Sequence, residues 1–372
     1  MIRIGITGQD GFVGKHLYNT LGLFPDEFIR VEFQRDFFGN DNELDNFVSQ
    51  CDVIVHLAAM NRHESQEVIY ETNVNLVHKL IASLERTNSK PHVLLSSSTQ
   101  EERDNLYGKS KKEGRELVAN WAKKNQAIYT GLVIPNVFGP FGKPFYNSVV
   151  ATFCHQVSHN ETPKIDVDGD LKLIYVGELV QEFISQVRSK TNQSRLEIQH
   201  TSEKKVSEIL ALVQHYKSEY QDKGIIPIAA STFELNLFNT YRCYMDIANH
   251  FPVKLTQHTD DRGSFVEIIR LDVGGQVSFS TTKPNITRGN HFHTRKIERF
   301  AVIKGKALIQ LRKIGTNEVL NFELNGDEPA YVDMPIWYTH NIKNIGDDIL
   351  YTNFWINEFF NPNDTDTYFE EV

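Results

Sequence analysis

Three cysteines in 372 residues, Cys51, Cys154 and Cys243, are too few and too far apart for a disulfide framework. They fit reduced thiols in a cytoplasmic protein. No apolar run exceeds strand length, whereas a membrane-spanning helix needs about 20 apolar residues. No signal-peptide pattern precedes the first strand-like stretch, Met1-Ile2-Arg3-Ile4-Gly5-Ile6. Basic residues are the minority: 39 Lys and Arg against 48 Asp and Glu leave a net charge of −9. No basic patch with interleaved aromatics appears, so nucleic-acid binding is not expected. What these absences leave is an ordinary cytoplasmic enzyme or binding protein, long enough for two domains.

The most chemically loaded stretch is Ser96-Ser97-Ser98-Thr99, followed by Tyr107-Gly108-Lys109-Ser110-Lys111. A Tyr-x-x-x-Lys pair puts both side chains on one helical face. The lysine charge favours the phenolate of a tyrosine whose free pKa is about 10. A serine, best placed as Ser98, can hold a carbonyl oxygen by a second hydrogen bond. Tyr107, Lys111 and Ser98 are therefore the candidate catalytic residues for moving a hydride at a carbonyl. Any amphipathic helix can show Tyr-x-x-x-Lys by chance, so the surroundings decide.

Those surroundings begin at Ile2–Thr7, a short buried strand, followed by Gly8-Gln9-Asp10-Gly11-Phe12-Val13-Gly14 and a helix-like stretch. Strand, glycine turn and helix in that order predict a dinucleotide pyrophosphate seated on a helix N-terminus. The spacing is Gly-x-x-Gly-x-x-Gly. With Tyr107 and Lys111 downstream, the region resembles the extended short-chain dehydrogenase/reductase family of nucleotide-sugar enzymes. Asp52–Ala59, Thr72-Asn73-Val74 and Pro135-Asn136-Val137-Phe138-Gly139-Pro140 match further family stretches in family order. The resemblance implies cofactor contacts from Gly8, Gly11, Phe12, Val13, Gly14, Leu57, Ala58, Ala59, Asn73, Tyr107 and Lys111. Beyond the second strand, expected over Phe28–Phe33, stand Gln34 and Arg35; Arg35 favours the 2′-phosphate of NADPH, while Glu32 is the acid that NAD prefers. Asn136 and Asn147 are candidate substrate contacts in a sugar-nucleotide lobe.

From about Leu255 the pattern changes to short β-rich runs: Phe265–Arg270, Val277–Thr281, Phe300–Val302, Ala307–Leu311, Tyr331–Met334 and Ile349–Ile356. Many short strands predict a sandwich or barrel. His291 and His293, at i and i+2 on a strand, point to one side. With Glu298 and His340 they offer three nitrogens and one oxygen, a set suited to Zn²⁺ and also to Fe²⁺, Mn²⁺ or Ni²⁺. The spacing His-x-His-x4-Glu-x6-Gly, then Pro-x4-His-x3-Asn, resembles the two cupin motifs, with Trp337 where the second motif usually has glycine.

A second resemblance overlaps the first. Asp261-Arg262-Gly263-Ser264-Phe265-Val266-Glu267 and Arg288-Gly289-Asn290-His291 are similar to the 3,5-epimerases of nucleotide-linked 4-keto-6-deoxyhexoses. In that family the residue matching His291 is the base, and the catalytic tyrosine aligns near Phe354. His291 cannot be both free base and metal ligand; ligand is the preferred reading, with the base left open. Arg262 and Arg288 are candidate diphosphate contacts.

The expected fold is an α/β Rossmann-type doubly wound parallel sheet over residues 1–245, a linker at 246–254, and an all-β cupin (jelly-roll) barrel over 255–372. Both halves in this order resemble the capsular and O-antigen enzymes of the CapF/WbjC type. That resemblance implies a homodimer or larger, NADPH, one divalent metal with zinc the first candidate, and a UDP-linked 4-keto-6-deoxy sugar as substrate. The implied activity is C3 epimerisation and C4 reduction of UDP-2-acetamido-2,6-dideoxy-4-hexulose to the L-talose form, on the route to UDP-N-acetyl-L-fucosamine. Two other readings stay open: a single-activity NADPH reductase with a non-catalytic barrel for dimerisation or sensing, and an NAD-recycling 4-epimerase or 4,6-dehydratase.

Overall fold

The computed structural model describes residues 1–261, 263–271 and 273–372. It divides into two compact units, Met1–Thr152 with Val167–Val206, and Phe153–Asp166 with Ser207–Val372. Among the described residues no helix is long and apolar enough to cross a membrane.

The chain runs β1 (Ile2–Thr7), α1 (Phe12–Leu21), β2 (Phe28–Val31), α2 (Asp41–Gln50), β3 (Val53–His56), α3 (Gln66–Arg86), β4 (His92–Ser98), α4 (Leu106–Asn125) and β5 (Tyr129–Ile134). There follow β6 (Asn136–Phe138), α5 (Val149–Ser158), β7 (Asp170–Tyr175), α6 (Val176–Ser189), β8 (Gln193–Glu197) and β9 (Ser202–Lys205). Six strands form a parallel sheet in the order β2-β1-β3-β4-β5-β8, with β6-β7-β9 as a small separate sheet. Both sheet faces are buried, so successive strand residues feed opposite cores. Val53 and Val55 join one cluster with Ile4 and Ile6, whereas Ile54 joins the other with Val93 and Leu95. Strand order reverses between β1 and β3, and their carboxyl ends flank the crevice where such folds take ligands. The second strand stops at Val31, short of the expected Phe33. Phe33 instead turns inward, 2% exposed, with its ring 4.9 Å from that of Phe47 and its N–H donating to Gln9 Oε1 at 3.2 Å.

The later chain carries α7 (Val206–Tyr216), α8 (Thr232–Arg242), α9 (Ile247–His250), then β10 (Val253–Lys254), β11 (Gln257–Asp260), β12 (Gly263–Val266), β13 (Gln276–Thr282), β14 (Thr287–Phe292) and β15 (Glu298–Lys304). It ends with β16 (Lys306–Lys313), β17 (Val319–Asn325), β18 (Ala330–Met334), β19 (Tyr338–Asn344), β20 (Leu350–Ile356) and β21 (Tyr368–Phe369). Two five-stranded antiparallel sheets, β10-β18-β15-β20-β13 and β17-β16-β19-β14-β21, enclose a core that includes Val302, Ile309, Leu311, Val332 and Leu350. This is the two-sheet architecture expected of a cupin jelly roll. The run expected as a strand over Phe265–Arg270 is shorter and earlier, a hairpin of β12 with β11.

Within this second unit, helical residues between Ser207 and His250 pack on the barrel through a buried ion network. Asp333, with no exposure, accepts from Arg299 Nε (2.7 Å) and Nη2 (2.9 Å) and from the Tyr220 hydroxyl (2.6 Å). Arg242 donates to the Tyr220 oxygen (3.1 Å) and to the Met334 carbonyl (3.1 Å).

Candidate active site and candidate metal centre

The glycine turn leaves β1 directly. Gly8 has φ +79°, a left-handed conformation that side chains disfavour, and its carbonyl accepts from Gly11 N at 3.0 Å. The chain there is too close for a Cβ. One on Gly8 would sit 2.8 Å from Ala58 N, and one on Gly14 would sit 2.2 Å from the Gly8 oxygen. Gly8 therefore touches the Leu57–Ala59 segment predicted to line the cofactor. Gly11 caps α1, whose first turn holds no acidic side chain, so no carboxylate in that turn competes with an anion for its N–H groups. Val13 packs on the core, and Phe12 lies edge-on to the His16 ring at 5.5 Å. The cradle fits a dinucleotide pyrophosphate. Gly14→Ala is expected to weaken binding of an NAD(P)-type cofactor at least about tenfold, because the turn and the helix start must part to admit the methyl group. Cofactor titration followed by fluorescence measures this. Beyond β2, Glu32 and Arg35 are both exposed, with Arg35 opening a 3-10 turn to Gly39.

The three serines ending β4 have three different partners. Ser96 Oγ donates to the His56 carbonyl (3.3 Å) and accepts from Lys111 Nζ (3.4 Å). Ser97 Oγ donates to Glu101 Oε2 (2.7 Å). Ser98 is half-buried and its Oγ accepts from Gln100 N (3.2 Å), a role that leaves its own O–H able to donate. Asn105 starts α4 by accepting from Gly108 N at 2.7 Å, which places Tyr107 in the first turn and Lys111 one turn on.

Asn73 does not reach outward. It is 4% exposed, and its amide is spent on Met60 N (2.6 Å), Met60 O (3.0 Å) and Ser110 Oγ (3.1 Å), while Ser110 Oγ donates to the Tyr107 carbonyl (2.7 Å). It ties the end of β3 to the helix of the tyrosine. Burial, then the Tyr146 phenol, pushes Tyr107 up to about 12. Burial pulls Lys111 down to about 8 against the pull of Glu101, and burial with the Lys111 charge holds His56 neutral, down to about 3. A phenol that keeps its proton at neutral pH is a general acid, the role that reduction of a ketone requires.

Several neighbours carried no sequence signal. Glu101, 7% exposed, is paired with Arg115 (3.1 Å) and Arg195 (3.0 Å). Arg62 Nη1 donates to the carbonyls of Phe145 (2.5 Å) and Tyr146 (3.2 Å), fastening the loop that brings Tyr146 toward Tyr107. Asn147 Nδ2 donates to the Asn61 carbonyl (3.3 Å) and Asn136 Nδ2 to the Lys172 carbonyl (3.3 Å), each with its side chain otherwise exposed.

In the second unit, ligand atoms of His291, His293, Glu298 and His340 all lie within 4.8 Å of one another. His291 and His340 face each other across β14 and β19, and Glu298 opens β15. Glu298 Oε2 is 3.1 Å from His293 Nε2, 3.1 Å from His340 Nε2 and 3.9 Å from His291 Nε2. The far nitrogens are fixed: His293 Nδ1 donates to the Asp366 carbonyl (2.5 Å) and His340 Nδ1 to the Tyr338 carbonyl (3.1 Å). A neutral ring so fixed turns an Nε2 lone pair toward the carboxylate, and a cation among them satisfies both; a protonated ring donates to the carboxylate directly, as His340 Nε2 can at 3.1 Å. His293 Nε2 is buried without a hydrogen-bond partner. Burial pushes the Glu298 carboxyl up, yet the three facing imidazoles outweigh it and hold it well below the usual carboxylate range. Three imidazole nitrogens and one carboxylate fit a divalent ion such as Zn²⁺.

A register shift between Gly289 and His291 sets Arg288 opposite Ile342 and His291 opposite His340. Arg288, exposed, thereby shares a face with the histidines. Arg262 lies outside the described residues. Phe354 pairs with Phe300, whose ring lies 5.9 Å from it and 5.9 Å edge-on from His340, so a phenyl group stands near the cluster where the epimerase resemblance has a phenol. Trp337 occupies φ +61° while its N–H donates to the His293 carbonyl at 2.8 Å, which accounts for the glycine usual at this turn.

Residues 4–194 match the NAD dependent epimerase/dehydratase family, and residues 258–368 match the polysaccharide biosynthesis C-terminal domain. A UDP-2-acetamido-2,6-beta-L-arabino-hexul-4-ose reductase of Pseudomonas aeruginosa is 30% identical over 373 residues, 99% of this chain and 98% of its own. The crystal structure of the capsular polysaccharide assembling protein CapF from Staphylococcus aureus aligns at 35% identity and TM-score 0.64, covering 100% of both chains. The structure of RMD from Pseudomonas aeruginosa complexed with NADPH aligns at 18% identity and TM-score 0.52 over 57% of this chain and 81% of that one, a likeness of fold.

Proposed function

The chain belongs to the CapF-type family, an NAD dependent epimerase/dehydratase domain followed by a polysaccharide biosynthesis C-terminal domain, and we propose on that premise that it is bifunctional. Its general class is an oxidoreductase acting on nucleotide sugars in polysaccharide synthesis. The finer reading is a C3 epimerase and NADPH-dependent C4 reductase of UDP-2-acetamido-2,6-dideoxy-4-hexulose, giving the L-talose form on the route to UDP-N-acetyl-L-fucosamine. The observation that carries it is that one chain holds two chemically distinct centres, a half-buried tyrosine and serine beside a buried lysine, and a carboxylate ringed by three imidazoles.

The ketone at C4 acidifies the neighbouring C3–H, so proton exchange at C3 precedes loss of the ketone. NADPH, when bound on the glycine turn, supplies the hydride that C4 receives. Ser98 holds the ketone oxygen, Tyr107 gives that oxygen its proton, and Lys111, anchored by Ser96, carries the charge beside them. His291, His293, Glu298 and His340 would hold a divalent cation, which would supply Lewis-acid chemistry at the substrate ketone. Arg288, on the same face, and Arg262 are assigned to the substrate diphosphate, and Asn136 and Asn147 to the sugar nucleotide.

The test is NMR of the 4-keto UDP-sugar in D₂O with the protein. Deuterium at C3 without NADPH, followed by stoichiometric NADPH oxidation when cofactor is added, is the expected result. NADPH oxidation with no exchange would favour the reading that Phe354 supports, a reductase whose barrel is not catalytic.

A further inference from the structure

The segment after β20 returns to the histidine-bearing strand and closes over it. Tyr368 and Phe369 pair with Phe292 and His291, and Glu370 N donates to the Asn290 carbonyl at 3.0 Å. Just before this pairing Asp366, 3% exposed and at φ +41°, turns its carboxylate into the loop that leads from His293 to Glu298. Oδ1 accepts from Thr294 N (3.1 Å) and Thr294 Oγ1 (2.6 Å), and Oδ2 from Arg295 N (3.0 Å) and Lys296 N (3.0 Å). Its backbone carbonyl accepts from His293 Nδ1 at 2.5 Å.

Three consecutive backbone N–H groups converging on one carboxylate form a concave anion site that an internal side chain fills. A loop so closed fixes the path between two members of the cluster. The carbonyl of the same residue keeps the proton of His293 on Nδ1 and the lone pair of Nε2 toward Glu298. One residue, more than seventy positions downstream, therefore sets the tautomer of one candidate ligand and the spacing to another.

We propose that Asp366 is a positioning residue of the metal centre, acting through His293 and the 294–296 loop; this rests on the reading that the four-residue cluster holds a divalent cation. Partners of metal-ligating histidines change affinity by about 10–100-fold when lost. Asp366→Asn keeps the size but offers one acceptor oxygen to N–H groups that now meet two.

The experiment is titration of the full-length, metal-stripped protein with Co²⁺, read by its visible d–d absorption, and with Zn²⁺ by chelator competition. Asp366→Asn is expected to bind both ions about 10–100-fold more weakly, with an altered Co²⁺ spectrum. Asp364→Asn is the control: it removes an exposed ion pair with the Arg295 side chain (2.9 Å) while leaving the backbone N–H groups of the loop on the Asp366 carboxylate, and is expected to match wild type. Wild-type affinity and spectrum in Asp366→Asn would overturn the proposal, as would equal losses in both variants, which indicate general loosening of the segment. Failure of the wild type itself to bind either ion would instead overturn the metal reading, and the proposal with it. If Asp366→Asn does not fold, Thr294→Val removes only the hydroxyl bond and is expected to shift affinity in the same direction; no shift there overturns the proposal.

Discussion

Tyr107→Phe is expected to slow reduction of the 4-keto sugar by about three orders of magnitude, within the range of about 10²–10⁴ typical for a positioned general acid. The substitution removes one hydroxyl from a half-buried ring and leaves Ser98, Lys111 and the Asn73 strut in place, so the loss reads out proton donation and not folding. C3 deuterium exchange should continue at the wild-type rate, because the barrel cluster contains no part of this network. Single-turnover NADPH oxidation and the exchange assay, run on the same preparation, separate the two. The pH dependence follows from the two shifted groups. With the phenol pushed up to about 12 and the ammonium pulled down to about 8, activity of the wild type should first fall as pH rises through the Lys111 value, while Tyr107 is still protonated. A variant retaining activity within tenfold of wild type would move the acid role elsewhere, and Tyr146 is the phenol that faces Tyr107.

Glu298→Ala carries the second large effect, on the other centre. Glu298 is the carboxylate whose oxygen lies among the ring nitrogens of His291, His293 and His340, and it is the shared neighbour of all three. Without it the remaining donors are neutral or mutually repelling imidazoles. Metal affinity should fall well beyond the about 10–100-fold seen when a ligand's partner is lost, and C3 exchange should drop to background. Reduction of substrate already epimerised at C3 should be retained. Chelation of the wild type is expected to give the same pattern, reversed by adding the ion back. Exchange that persists in a metal-free Glu298→Ala protein would remove the cluster from the reaction.

The glycine turn, the Tyr107–Lys111 pair and the four members of the histidine cluster were legible because each rests on spacing within or between regular elements. Gly14 meets Gly8, and His291 meets His340, as strand–turn–helix and strand pairing require. What spacing does not carry was lost. Asp366 lies in an irregular segment and acts partly through its backbone carbonyl, an atom every residue has. Glu101, Arg115 and Arg195 come from three separate elements, and nothing local marks them as partners. The expected pull of Lys111 on the Tyr107 phenol rested on charge alone. In the folded unit, burial dominates and moves the phenol the other way. Phe33 looked like strand because it is aromatic and follows β-branched residues, but a ring among Phe37, Phe38 and Phe47 is better buried off the sheet edge.

The Asp333 network has a consequence for how the protein responds to electrolytes. Dissolved ions act on charges they can approach: Arg3 with Asp52, or Arg188 with Glu27, are at the surface and lose most of their attraction once the screening length shrinks to a few ångströms. Asp333 has no exposure and Arg299 3%, so no counter-ion atmosphere forms between them. Brine that loosens the periphery therefore leaves the seat of the helices on the barrel untouched, and the second unit keeps its internal packing in media that strip the first of its surface pairs.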